Sequence, residues 1–173
     1  MALFTSTNVD SFEQLFIDQL QDIYDAEQRL AKALPHMAEA ADDPRLKMAL
    51  REHLTETERQ LKSLDEQFQR VDEKPKGKTC EAMKGLISEA EEMADAKGDV
   101  HIRDAAIIAA AQRIDHYEMA AYGTARNFAR RLGHEDVAQA LQRCLDEEKA
   151  ADFRLTELAE ESINPLAAQL ATT

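Results

Sequence analysis

From Phe16 to Val71, and again from Val100 to Glu161, apolar residues return in alternating steps of four and three. That rhythm puts one apolar stripe on each of several long helices, and such a stripe must be buried against other helices. The first helix opens after Asp10 or Ser11, with Glu13 in its first turn. Its stripe reads Phe16, Leu20, Ile23, Glu27, Leu30, Leu34, Met37, Ala38 and Ala41. Pro35 lies inside it, where a kink or a shifted turn is expected, because the rhythm continues beyond. Asp42-Asp43-Pro44 ends this helix and caps the next, which covers 44–71 with Leu46, Leu50, Leu54, Thr57, Leu61, Leu64, Phe68 and Val71 inward. A polar break, 72–78, precedes a shorter helix over 79–96, with Met83, Leu86, Ile87, Ala90 and Met93 inward and an end at Lys97-Gly98. A third long helix runs over 100–132 to Gly133, and a fourth over 135–161, closed by Asn164-Pro165.

Two hairpins with tight turns at 42–44 and 133–134 are thus joined by a long middle segment that holds its own helix. A bundle that simply ran up and down would not need that segment. The expected fold is all-α: a ferritin-like four-helix bundle of two helical hairpins, with one long crossover containing a short extra helix. One domain spans 1–173, with hairpins over 10–72 and 100–162, the crossover over 73–99 and a tail over 163–173. Five glycines and four prolines in 173 residues leave too few turn formers for a many-stranded sandwich or barrel.

The chain carries 34 acidic and 21 basic residues, a net charge of −13. With no basic cluster to offset it, this charge argues against nucleic acid and anionic membranes as partners. Cys80 and Cys144 form no CxxC motif and read as reduced thiols. The opening MALFTSTNVDSFEQLF does not read as a secretory leader, so the expected location is cytoplasmic.

Sliding the chain by 91 positions lays QDIYDAE on QRIDHYE, pairing Gln21 with Gln112, Ile23 with Ile114 and Glu27 with Glu118. It also pairs Leu50 with Leu141, Leu54 with Leu145 and Glu56 with Glu147. Leucine matches are cheap between amphipathic helices; matched glutamates on an apolar stripe are not. The pattern reads as a degenerate duplication with pseudo-two-fold symmetry.

Glu27 sits among Leu20, Ile23, Leu30 and Leu34 on its helical wheel, and Glu118 among Ala111, Ile114, Tyr122 and Ala125. On the fourth helix Glu148 aligns with Leu141 and Leu155, with Asp152 on the same stripe. On the second, His53 lies on the stripe and Glu56 at its margin. A single glutamate on a stripe is ordinarily a snorkelling side chain, and a single histidine a hydrogen-bonded core residue. Four helices doing this at one height differ. Glu27 is 16 residues before Asp43 and Glu56 is 13 after it, while Glu118 and Glu148 each stand 15 from Gly133. In antiparallel hairpins, equal distances from the turn mean equal heights. Carboxylates cannot share a dry interior without protons or cations. The spacing therefore predicts two divalent metal ions, iron or manganese, with Glu27, His53, Glu56, Glu118, Glu148 and Asp152 as ligands. Glu27 and Glu118 would be terminal ligands, Glu56 and Glu148 bridging. The repeat nominates Glu147 where the wheel nominates Glu148 and Asp152. Asp115 and Tyr122 lie on the Glu118 face, as partners of the ligands or as plain core. Cys144 takes the place of His53 in the repeat, near the metals or as a small apolar filler.

The strings LFIDQLQDIYDAEQRL, HLTETERQ, KPKGKTCEAMKGLISE, DAAIIAAAQRIDHYEMAAYGTAR, LGHEDVA and LDEEKAAD resemble the YciE/YciF stress-protein family, a ferritin-like metal-binding family, from 10 to about 160. The resemblance implies a ferritin-like bundle, a homodimer and a dinuclear metal centre. The wider ferritin-like pattern places one Glu on the first and third helices and Glu-x-x-His on the other two. Glu27 and Glu118 match it. The second helix instead reads His53-x-x-Glu56, and the fourth has Cys144-x-x-Glu147 with no histidine.

Two functions follow. One is a non-haem dimetal oxidase or peroxidase that meets O2, peroxide or ferrous iron under stress. The other is a scaffold whose metals only stabilise the bundle.

Overall fold

A computed structural model describes residues 10–75 and 78–170. Six α-helices follow in chain order: α1 (Phe12–Ala40), α2 (Pro44–Arg70), α3 (Glu81–Ala94), α4 (Val100–Arg131), α5 (Glu135–Leu158) and α6 (Asn164–Leu170). A π turn, Ala159–Ile163, joins the last two. The reading of the amino terminus as leaderless rests mostly on residues outside those described. No described helix is long and apolar enough to cross a membrane.

The ends of the helices follow from their capping residues. Ser11 Oγ accepts from the Gln14 N–H at 3.0 Å, and Asp43 and Asp99 accept from Arg45 and His101, each at 2.8 Å. Gly133, at φ 83°, closes α4: its own N–H reaches Arg130 O and the His134 N–H reaches Ala129 O. Asp72, at φ 54°, closes α2 in the same way, with the Glu73 N–H on Phe68 O. α1 runs through Pro35 to Ala40. At the other end the expectation fails, for Asn164-Pro165 does not end the helical path. The Asn164 N–H bonds to Ala159 O, five residues back. This wider turn takes up the place where a proline ring would crowd an α-helical carbonyl and lack an N–H, and Pro165 then lies in the first turn of α6.

α1 packs beside α2, α2 beside α5, α5 beside α4 and α4 beside α1, and α3 lies against α1 and α4. One apolar cluster joins the C-terminal half of α1 to the first turns of α2, the first half of α4 and the end of α5. Neighbouring long helices are therefore antiparallel, and the segment from α2 to α4 must travel the length of the bundle. This is the ferritin-like arrangement with one crossover.

The interior is divided in two. The first cluster holds Ala26, Leu30, Leu34, Leu46, Leu50, Met83, Ile107 and Ile114. The second holds Phe16, Leu20, Ile23, Leu64, Phe68, Ala121, Tyr122, Leu141 and Leu145. Along every long helix the boundary falls at a polar residue: Glu27 on α1, His53, Thr57 and Gln60 on α2, Asp115 and Glu118 on α4, and Glu148 on α5. A polar layer crosses the middle of an otherwise apolar bundle.

Candidate metal centre

Four residues meet in that layer. His53, Asp115, Glu118 and Glu148 each bring one ligand-type atom to a group in which all lie within 4.8 Å of one another. That spread is slightly wider than the roughly 4.2 Å between opposite oxygens on one octahedral ion. All four are buried, and Glu27 is fully buried beside them. His53 Nε2 stands 3.3 Å from Glu148 Oε2, and its Nδ1 is 3.7 Å from Asp115 Oδ1. Tyr122, one turn beyond Glu118, donates its hydroxyl to Glu27 Oε1 at 2.6 Å. Gln60 donates to Glu148 Oε1 at 2.6 Å. Six carboxylate oxygens are left without a hydrogen-bond partner: Glu27 Oε2, Glu148 Oε2 and both oxygens of Asp115 and of Glu118. Buried acceptors are rarely left so, and a cluster of them asks for protons or a cation.

The electrostatics follow from burial and crowding. Burial raises Glu27 well above the usual carboxylate range, and Glu148 raises it further. Glu118 is raised likewise by burial, then by Glu27 and Glu148. Burial pushes Asp115 up to about 8, in spite of His53. For His53 burial works downward, but the contacts with Glu148 and Asp115 outweigh it and hold the imidazole at about 9. Without metal, the layer thus favours the charged form of His53 and disfavours the charged forms of Glu27 and Glu118. Burial and Glu27 push the Cys144 thiol up to about 12, so it stays neutral in the wall.

Of the six residues nominated by spacing, His53, Glu118 and Glu148 belong to the group, and Glu27 lies beside it, in electrostatic reach of Glu148 and His53. Glu56 and Asp152 do not join them. Glu56 accepts from Arg154 Nη2 at 2.7 Å, and Asp152 accepts from Gln112 at 3.0 Å and lies 3.3 Å from His116. Both sit at the edge of their stripes, within reach of solvent and of a cationic partner, so the cheaper place for their charge is outward. The repeat mates Glu56 and Glu147 share this fate: Glu147 accepts from Arg59 at 2.7 Å. Asp115 joins the group as a full member. It stands three residues before Glu118, a spacing that puts two acids on one face of α4 and could have nominated it. Thr57 and Gln60 are buried in the layer as well, on the same buried stripe of α2 as His53 and Leu64.

Hard oxygen donors and one imidazole suit iron or manganese better than a soft-ligand metal. Four carboxylates carry the charge that two divalent ions would neutralise. The residues present therefore fit a metal site.

Comparison with known proteins agrees with this architecture. Residues 11–168 match the family model described as a domain of unknown function, DUF892. The chain is 41% identical to protein YciF of Escherichia coli over 158 residues, covering 91% of this chain and 95% of that one. The crystal structure of the E. coli stress protein YciF superposes with a TM-score of 0.87 over 90% of this chain and 99% of its own. YcfI of Rhodopseudomonas palustris, described as a candidate structural protein, is 44% identical, with a TM-score of 0.84 over 88% of this chain and 98% of its own. A protein of Xanthomonas campestris at 20% identity, with a TM-score of 0.73 over 92% of this chain and 98% of its own, shares the fold. The chain belongs to the DUF892 family of YciF-like stress proteins.

Proposed function

We propose that this protein holds two divalent ions, iron or manganese, in its polar layer and uses them to handle O2, peroxide or ferrous iron during stress. The observation that carries the reading is the group of six unpartnered carboxylate oxygens around a buried imidazole. Glu27, His53, Asp115, Glu118 and Glu148 would hold the ions; Tyr122 and Gln60 hold Glu27 and Glu148 in place. Iron or manganese, when bound, supplies one-electron redox chemistry toward O2 or peroxide. The apolar clusters above and below exclude water, which strengthens every charge interaction in the layer. The homodimer and the cytoplasmic location implied above belong to the same proposal, and sedimentation of the purified chain checks the first.

A second reading, a scaffold stabilised by metals, has in its favour the description of the R. palustris relative. Iron separates the two. The anaerobic protein is expected to bind about two Fe2+ per chain, the number that balances four carboxylates. On exposure to air or peroxide the bound iron is expected to oxidise, read as growing ferric absorption. Stoichiometry at background after chelation and reloading refutes the metal reading; bound iron inert to both oxidants selects the scaffold.

A further inference from the structure

On the α2–α5 flank, neither α3 nor α6 packs over the polar layer. α3 lies over α1 and α4, α6 packs on α4, and the π turn packs on α4 and α5 and touches α2 only at its first turn, through Arg45 and Ser162. Three ion pairs cross the α2–α5 seam: Arg154–Glu56 and Arg59–Glu147, each at 2.7 Å, and Arg70–Asp136 at 3.4 Å near its far end. Beside the Arg59–Glu147 pair opens a cleft of about 210 Å³, whose buried walls include Gln60 and Cys144. Gln60 binds both members of a consecutive acid pair: its amide nitrogen is 3.2 Å from Glu147 Oε2 at the half-buried rim and 2.6 Å from Glu148 Oε1 inside. Its side-chain oxygen has no partner, though the residue is 1% exposed. The amide nitrogen thus links an outer to an inner carboxylate, and the unpartnered carbonyl oxygen of the same side chain adds a third hard oxygen donor beside them.

We propose that this cleft is where a divalent cation is taken up on its way to the buried centre, with Glu147 and the Gln60 carbonyl receiving it first and Glu148 second. Arg59, paired with Glu147 and largely solvated, is the resident counter-ion that the cation displaces. The groove at His116 and Asp152 is the rival path, since Asp152 lies within electrostatic reach of Asp115. It lacks the bridge: Asp115 has no hydrogen-bond partner, and the Asp152 carboxylate is engaged by Gln112 and His116. The proposal rests on the metal reading above, and kinetics separates the two.

Co2+ is the probe, mixed rapidly with chelator-treated full-length protein and followed by its visible absorption. Glu147→Gln is expected to slow loading about tenfold, and Arg59→Gln to accelerate it several-fold, because each shifts the charge that a cation meets at the rim. The number of ions bound at saturation is expected to match wild type in both. Arg70→Gln makes the same charge change at the Arg70–Asp136 pair, eleven residues further along α2 from Arg59, and is expected to leave the rate within about twofold. Loading of Glu147→Gln at the wild-type rate overturns the proposal. So does an Arg59→Gln variant no faster than Arg70→Gln, or an Asp152→Asn variant slowed more than Glu147→Gln. If wild type takes up no Co2+, the metal reading falls and takes this proposal with it; uptake at equal rates in every variant sinks the uptake path alone.

Discussion

Glu118 is one of the residues on which the buried charge weighs. Both of its oxygens lack hydrogen-bond partners, and Glu27, Glu148 and Asp115 all face it. Without metal, burial and these neighbouring acids make its charge costly when the solvent is neutral. Glu118→Gln removes that cost at nearly the same volume, so the metal-free variant is expected to be as stable as wild type at pH 7, or up to about 2 kcal/mol more stable. It is also expected to lose most of the rise in melting temperature that metal gives wild type, because a neutral amide neither neutralises nor binds a cation as a carboxylate does. Melts of both proteins, in chelator and in excess Mn2+, check this; an equal rise in both removes Glu118 from the ligand set. Glu118 was legible in the sequence for the reason that makes it costly: a charge central on an apolar stripe has nowhere else to point. Marginal positions carry no such compulsion. Glu56 and Asp152 resolve outward because Arg154, Gln112 and His116 stand across from them, and no helical wheel shows what a neighbouring helix offers.

Elements are held in register by a different buried acid, one that the periodicity did not single out. Asp104, 1% exposed near the start of α4, accepts the backbone N–H groups of Asp42 and Asp43, each at 2.8 Å. Those donors lie in the turn between α1 and α2, where no intrahelical acceptor exists. The carboxylate thereby ties the first hairpin to the second and adds a negative charge at the N-terminal end of α2. Asp104→Ala leaves these two part-buried hydrogen bonds without their acceptor and is expected to cost about 2–4 kcal/mol. Asp104→Asn, which keeps one acceptor oxygen, is expected to cost about half as much; urea denaturation at constant m-value checks both. A loss below about 0.5 kcal/mol for Asp104→Ala would mean that water replaces the carboxylate at no penalty. The turn itself was readable from Asp42-Asp43-Pro44, since proline and aspartate act locally. The tie was not, because its acceptor lies 61 and 62 residues away. Asn164-Pro165 misled for a related reason: a proline ends an α-helix, yet the π turn before it carries the path on.

At the scale of the whole molecule, the polar layer should invert the ordinary response of a protein to acid. Unfolded, the carboxyls titrate near about 4 and the imidazole near about 6.5. Folded, Glu27 and Glu118 are pushed upward, Asp115 to about 8 and His53 to about 9. In each case the folded state binds the proton more tightly than the unfolded one. The slope of unfolding free energy with pH is then negative, and the metal-free protein is expected to lose stability steadily from about pH 5 to about pH 9. Divalent cations bind deprotonated carboxylates and neutral imidazole, so excess Mn2+ is expected to flatten or reverse that slope, with the gap between the two curves widening as pH rises. The net charge of −13 would also oppose folding, but surface repulsion is screened by salt and buried repulsion is far less so. Melting temperatures measured across this range in high salt, with chelator and with Mn2+, therefore isolate the layer. A metal-free curve that is flat or rises with pH would show that the buried acids do not govern stability. Two parallel curves would show that the metal binds elsewhere. A shallower metal-free slope in Glu118→Gln than in wild type would assign part of the loss to this one carboxyl.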